Sequence, residues 1–166
     1  MAADGYTPGT IADIVGLHMR YYAPQWGFGL AFEAKVATEL SAFLSGFRPG
    51  ADFFAAHRAG DGTLLGTVSL QAPAAGEPLA HLRWFITGEA ARGTGLGRRL
   101  LDDAVRHADR LAFPGIYLTT FAGLDAARHL YEAVGFALVG ESATDRWSGG
   151  VREQRFERPL PPASAE

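Results

Sequence analysis

The sequence predicts a mixed α/β fold in which a twisted sheet of six to seven strands carries helices on both faces. Two patterns predict it. Apolar residues recur at helical spacing through the first fifty positions, and beyond Gly50 short strand-like runs alternate with helical stripes in the order αα, βββ, α, β, α, ββ. With 166 residues, 48% of them hydrophobic, the chain is large and apolar enough to bury one core. Residues 1–160 are therefore expected to form a single domain, with residues 161–166 a frayed Pro/Ala-rich tail.

The first helix is predicted over Ile11–Tyr22 from the stripe Ile11, Ile14, Val15, Leu17 or His18, and Tyr21; Thr10 is placed to cap it and Pro24 to end it. A second runs from Leu30 to Phe47 on Phe32, Val36, Leu40, Phe43, Leu44 and Phe47, until Pro49 and Gly50 break it. Asp52–Arg58 and Thr63–Gln71, joined at Gly60-Asp61-Gly62, read as a hairpin. A loop over Pro73–Pro78 leads to a strand at Leu79–Thr87. A Gly-rich turn and a helix to Arg110 follow, then a strand at Ile116–Phe121, a helix at Leu124–Val134, and strands at Phe136–Glu141 and Val151–Arg158. There is no internal repeat.

A net charge of −3 with pI near 5.9 argues against a nucleic-acid partner, because no basic face is available to neutralise phosphates. The absence of cysteine excludes disulfides, thiolate metal sites and a cysteine nucleophile, and no metal is expected. Met1–Thr10 lacks the pattern of a secretory signal and no run approaches a membrane span, so a cytoplasmic enzyme without a membrane partner is the expectation.

The segment that carries chemistry is Arg92-Gly93-Thr94-Gly95-Leu96-Gly97-Arg98-Arg99, set between an apolar strand and a helix with the stripe Leu96, Leu100, Leu101, Ala104, Val105 and Ala108. Alternating glycines admit a ligand close to the backbone. The first N–H groups of the following helix lack intrahelical partners and sit at the positive end of its dipole, a setting that binds phosphate. A dinucleotide fingerprint needs a third glycine where Arg98 stands, and a P-loop needs Gly-Lys-Ser/Thr, which is absent; both readings weaken.

What remains is Arg-x-x-Gly-x-Gly, and here the chain resembles the GNAT N-acetyltransferase superfamily, whose acetyl-CoA pyrophosphate loop has that pattern. Leu82-Arg83-Trp84-Phe85-Ile86 is similar to the strand that precedes the loop in that family. Leu130-Tyr131-Glu132-Ala133-Val134-Gly135-Phe136 matches its Leu-Tyr-x-x-x-Gly-Phe segment. Tyr21–Phe28, ahead of a Phe32-Glu33 helix, is similar to acetyltransferase domains fused elsewhere to MarR-type regulators.

The resemblance implies a GNAT-like sheet and acetyl-CoA as co-substrate, contacted by Phe85, Ile86, Thr87, Arg92, Gly93, Thr94, Gly95, Leu96, Gly97 and Arg98. Backbone N–H groups near Phe85 and Ile86 would stabilise the oxyanion, and Tyr131 would protonate the departing thiolate. One departure is Leu124, where many relatives carry an asparagine that contacts the pantetheine arm.

Attack on the thioester needs a neutral amine, so a base or water chain must take a proton. Glu33, His81 and Asp125 are the candidates. Glu33 is favoured because the resemblance implies that the first two helices wall the acceptor pocket. Tyr22, Trp26, Phe28, Glu33 and His81 are the expected acceptor contacts; an aromatic face attracts an ammonium, and packing between the helices explains Tyr22, Trp26 and Phe28 equally well. The expected partner is a small-molecule amine or amino acid, and a homodimer is left open. The competing reading is a non-catalytic acetyl-CoA sensor or interaction module.

Overall fold

The structure, a computed structural model, describes residues 5–143 and 151–162. Its elements are α1 (Thr10–Trp26), α2 (Leu30–Ser45), β1 (Phe53–Arg58), β2 (Leu64–Gln71), β3 (Ala80–Thr87), a short 3-10 turn (Glu89–Ala91), α3 (Leu96–Arg110), β4 (Gly115–Phe121), α4 (Asp125–Ala133), β5 (Ala137–Ser142) and β6 (Glu153–Pro159). The six strands form one sheet in the order β1-β2-β3-β4-β6-β5, antiparallel at every step except β3–β4.

Each face of the sheet is covered by its own helices. On one side Val68, Leu70, Leu82, Ile116 and Leu118 pack against Leu100, Leu101 and Ala104 of α3 and, with Tyr131, Phe136 and Phe156, make the main core. On the other, Phe54, Leu64 and Ile86 meet Ile14, Leu17, Leu40 and Phe43 of α1 and α2. The apolar stripes of the helices thus account for both layers.

Three helix ends differ from expectation, the least being that of α2, which closes at Ser45, where the Gly46 N–H donates to the Ala42 carbonyl, and not at Phe47. Thr10 is the first residue of α1 rather than its cap, which is Gly9; its buried hydroxyl instead accepts from the Thr7 N–H and from Arg58 Nη2, each at 3.1 Å. Pro24 does not end α1. The helix runs on to Trp26, where Gly27, at φ 66°, closes it with an N–H bond to the Ala23 carbonyl. Proline removes one bond from the ladder, and the ring contacts that Tyr22 and Trp26 make with Phe121 hold the last turn. Of the expected tail, Pro161 and Pro162 are exposed coil, and residues 163–166 lie outside the described residues.

What positions the site is the way β3 and β4 separate. They pair only at Ala80↔Ile116 and His81↔Tyr117, and beyond that point no strand pairing joins them. Just past the split, β3 carries a bulge: Val68 alone faces Trp84 and Phe85 between the pairs Thr67↔Ile86 and Ser69↔Arg83. Trp84 sits at φ 49°, uncommon for a bulky side chain and costly by about 1 kcal/mol or more. The Arg83 guanidinium, 4.2 Å over its ring, and Phe43, 5.6 Å away, hold it there. Bulges bend a strand and re-aim its groups.

Candidate active site

The split opens into a cleft of about 170 Å³. α1 supplies His18 and Tyr22, α2 supplies Phe32, Lys35, Val36 and Glu39, β3 supplies His81 to Phe85, β4 supplies Leu118 to Phe121, and α4 supplies Tyr131.

At the α3 end, the 3-10 turn feeds a tight loop. The Thr94 hydroxyl donates to the Ala91 carbonyl at 2.5 Å and accepts from the Leu96 N–H at 3.3 Å, while Arg99 Nη1 donates to the Thr94 carbonyl at 3.0 Å. Gly95, at φ 78°, caps α3 with no side chain, a left-handed conformation that glycine adopts without penalty. Gly97 serves a different need: a Cβ there would lie 3.2 Å from Leu130 Cδ1 and 3.4 Å from Phe85 Cζ. The missing side chain lets the first turn of α3 lie against the end of β3 and α4. Arg92, Gly93, Thr94 and Gly95 are exposed, so the N–H-bearing end of α3 opens outward. Arg98 is exposed too and pairs with Asp102 at 3.1 Å.

The Leu130–Phe136 segment brings Tyr131 to the cleft floor. The Phe136 N–H donates to the Tyr131 carbonyl at 3.0 Å, and the chain turns at Gly135 (φ 102°) so that the Phe136 ring lies 6.1 Å from Tyr131. Phe85 meets the same ring edge-on at 5.8 Å. Burial pushes the Tyr131 phenol well above its usual range, with Tyr21 adding to the shift, so it stays protonated. Tyr22 is pushed the same way by burial and then by Tyr131 and Tyr21.

The opposite wall holds residues outside the expected site: His18, which the α1 stripe offers as an alternative to Leu17, and Lys35, Glu39 and Arg83. His18 is buried, and burial lowers its pKa to about 4 despite the bond its Nδ1 makes to the Ile14 carbonyl at 2.8 Å. Donation from Nδ1–H leaves Nε2 as the acceptor of a neutral ring. Glu39 bridges two cations: Oε1 takes Lys35 Nζ at 2.6 Å and Oε2 takes Arg83 Nη2. Burial lowers the pKa of Arg83, opposed by Glu39.

Of the expected acceptor contacts, Tyr22 and His81 line the cleft, with His81 stacked on Tyr117 at 4.2 Å. Trp26 and Phe28 stand behind it. Phe28 is buried and packs on Phe32 at 4.8 Å and Phe121 at 5.3 Å, and Trp26 stacks edge-on to Phe121 at 5.4 Å; these rings brace the helix pair. Glu33 is exposed and does not line the cleft, and Asp125 is exposed in the first turn of α4. Glu33 lies about 120° around the helix from Glu39, so a helix that turns Phe32, Lys35 and Glu39 inward turns it out.

Among the expected cofactor contacts, Phe85 lines the cleft, Ile86 is buried in the helix-pair core, and the Thr87 methyl lies 3.6 Å from where a Gly97 Cβ would be. Leu124 is buried in the aromatic cluster with Phe28, Phe32 and Phe121, so its position is used for packing. No metal-binding group of His, Asp or Glu occurs among the described residues.

Comparison with known proteins fits this geometry. The chain is 42% identical over 66 residues to N-alpha-acetyltransferase 40 of Saccharomyces cerevisiae, a match that covers 36% of the chain and 23% of that longer protein. The fold superposes on a GNAT-family acetyltransferase from Staphylococcus aureus Mu50 with a TM-score of 0.74 at 15% identity, covering 95% of this chain and 97% of the other. It also superposes on a protein assigned as a streptothricin acetyltransferase from Bacillus anthracis, solved with acetyl coenzyme A (TM-score 0.58, 20% identity, 69% of this chain and 65% of the other). Residues 12–136 match the model of the acetyltransferase (GNAT) family, and with most of its length inside that match the chain belongs to this family.

Proposed function

We propose that this enzyme transfers the acetyl group of acetyl-CoA to a primary amine of a small molecule or amino acid by direct attack of the amine on the thioester. The observation that carries this reading is the parting of β3 from β4 after His81↔Tyr117, with the open end of α3 on one side of the gap and the buried, protonated Tyr131 beside it. The residues present fit acetyl-CoA. The exposed loop of residues 92–95 at the N-terminus of α3 offers main-chain donors to its diphosphate, and Gly97 just after it lies against Phe85, which lines the cleft 5.8 Å from the Tyr131 ring.

When bound, acetyl-CoA supplies the activated carbonyl and the leaving thiol. The chain's own groups then have three tasks. The stretch of β3 at Phe85 and Ile86, past the last parallel pair, is where main-chain N–H groups would meet developing negative charge. Burial disfavours the phenolate, so Tyr131 keeps its proton on Oη and meets the departing thiolate as a neutral O–H donor. His81, the one base candidate of the sequence reading that lines the cleft, accepts the proton from the attacking amine.

The test is a free-thiol assay with acetyl-CoA across amino acids, polyamines and aminoglycosides, with calorimetry of coenzyme A alongside. Thiol release that requires an amine supports the reading. Binding of coenzyme A with no product from any amine would replace it with a sensor role.

A further inference from the structure

The acceptor end of the cleft carries a charge pattern that a bare amine does not explain. Lys35 and Arg83 both line it, and both lean on one carboxylate, Glu39, whose two oxygens are each taken by one of them. Glu39 is therefore engaged on both oxygens and is poorly placed to receive an acceptor's ammonium. His18 adds no charge, because burial holds it neutral. Two cations against one anion leave this wall with a formal charge of +1 among Lys35, Arg83 and Glu39.

Arg83 is the better placed of the two to take a further anion. Its side chain is 21% exposed, so much of its charge has been withdrawn from water, and its guanidinium has five N–H donors, of which Nη2 faces Glu39. The Trp84 ring, its centroid 4.2 Å from Arg83 Cζ, restrains the fork. A planar fork held in a half-buried cleft matches a carboxylate in a way a point charge does not. Lys35, one turn before Glu39 on α2 and 30% exposed, pairs with the same carboxylate and so marks the helix side of the pocket, opposite Arg83 on β3. His18 offers a ring nitrogen that accepts rather than donates, which suits the N–H of a neutral amine.

We propose that the acceptor is an amine that also bears a carboxylate, with Arg83 and Lys35 as its anchor. This rests on the acetyltransfer reading above and narrows it: amino-acid-like acceptors are selected, and polyamines are disfavoured because they bring only positive charge to a wall that is already positive.

The experiment compares matched acceptors on the unaltered enzyme: amino acids, their carboxamides, the corresponding decarboxylated amines, and spermidine. Calorimetry of coenzyme A runs in parallel. The expected result is a kcat/KM for the best amino acid at least about tenfold above its carboxamide, the scale of one hydrogen bond to a charged group. Arg83→Gln should collapse that ratio toward one, chiefly through KM, and Arg83→Lys should restore only part of it. Glu39→Gln should lower KM for the amino acid, because it removes the competing carboxylate. Preference for spermidine or for the carboxamide would overturn the proposal while leaving acetyltransfer intact, and so would failure of every carboxylate-bearing amine although coenzyme A binds. Absence of coenzyme A binding would instead bring down the broader reading. Should Arg83→Gln not fold, the comparison of acceptors on the unaltered enzyme still decides.

Discussion

The cleft and the start of α3, which lies against its Phe85 wall, are built to hold a ligand by opposite means. At the start of α3 the groups on offer are main-chain N–H donors on exposed backbone, shaped by glycines, with Arg92, Thr94 and Arg98 in solvent around them. Between α1, α2 and α4 they are side chains withdrawn from water: His18, Tyr22 and Tyr131, with Arg83 and Glu39 half-buried. Donors shared along an exposed backbone each contribute little, and no single side chain carries the site. Buried ionisable groups are few, and each feels a weakly screening environment. The exposed end should therefore respond to changes in backbone conformation in small steps, and the buried end to changes of charge or hydroxyl in large ones.

The largest expected effect lies at the buried end. Tyr131→Phe keeps the ring contacts with Phe85, Phe136 and Phe156 and removes only the hydroxyl. Loss of a positioned proton donor costs roughly 10²- to 10⁴-fold in rate, so kcat should fall by at least about a hundredfold while calorimetric affinity for coenzyme A changes little. An undiminished kcat would make Tyr131 a core residue and nothing more.

His18 comes next, and its signature is in stability. Its folded pKa of about 4 lies below the unfolded value of 6.5, so between those pH values the unfolded chain binds a proton that the folded chain refuses. Above pH 6.5 the group contributes nothing to the pH dependence. Stability should fall as pH drops from 6.5 toward 4, by on the order of 3 kcal/mol for this one group. Chemical denaturation across that range should show the slope, and His18→Gln should flatten it. An unchanged slope would mean that the imidazole takes up its proton in the folded state after all.

The same contrast decides what could be read from the sequence. Main-chain chemistry leaves a mark in residue order: the Gly93, Gly95 and Gly97 spacing, the stripe of α3 and the turn before Phe136 all survive without coordinates, and strand and helix positions follow from the same periodicities. Side-chain chemistry leaves a weaker mark. Glu33 and Glu39 are both acidic residues on one amphipathic helix, and which of them faces the cleft depends on how α2 is rotated against the sheet. The Lys35–Glu39 spacing was the available signal, yet a pair four residues apart is also what an ordinary solvated helix face displays. His18 shares its place in the apolar stripe with Leu17, and both are buried. Arg83 shares its face with His81 by simple alternation, but the bulge that follows at Trp84 and Phe85 and splits the strand's two faces leaves no mark in residue order. Pro24 misled for a related reason: its local preference is to stop a helix, and tertiary contacts around Trp26 overrode it.

Trp26 offers a smaller effect that separates bracing from binding. It packs on Tyr21, Tyr22 and Phe121 behind the cleft rather than in it. Full truncation of a core aromatic costs about 3–5 kcal/mol, and a half-buried ring less, so Trp26→Ala should destabilise the fold by about 2 kcal/mol. In folded protein the KM for the amine should move far less than it does with Arg83→Gln. A large rise in KM with no loss of stability would return Trp26 to the acceptor pocket.

The smallest effects test the exposed end, where Gly95→Ala and Arg98→Ala make a matched pair. At Gly95 the backbone is left-handed at φ 78°, and an added Cβ meets only Arg99 Nη1 at 3.4 Å, so the cost is conformational rather than steric, about 1 kcal/mol. That strain falls on the residue that caps α3 and aims its first N–H groups. Arg98 contributes a solvent-exposed charge already paired with Asp102, and pairs of that kind contribute roughly 0–1 kcal/mol. If the diphosphate is held by main chain, Gly95→Ala should weaken coenzyme A several-fold in calorimetry, and Arg98→Ala should weaken it less and mainly at low salt. The reverse order, with Arg98 dominant and Gly95 tolerant, would mean that side-chain charge governs this end as well, and the contrast between the cleft and the start of α3 would disappear.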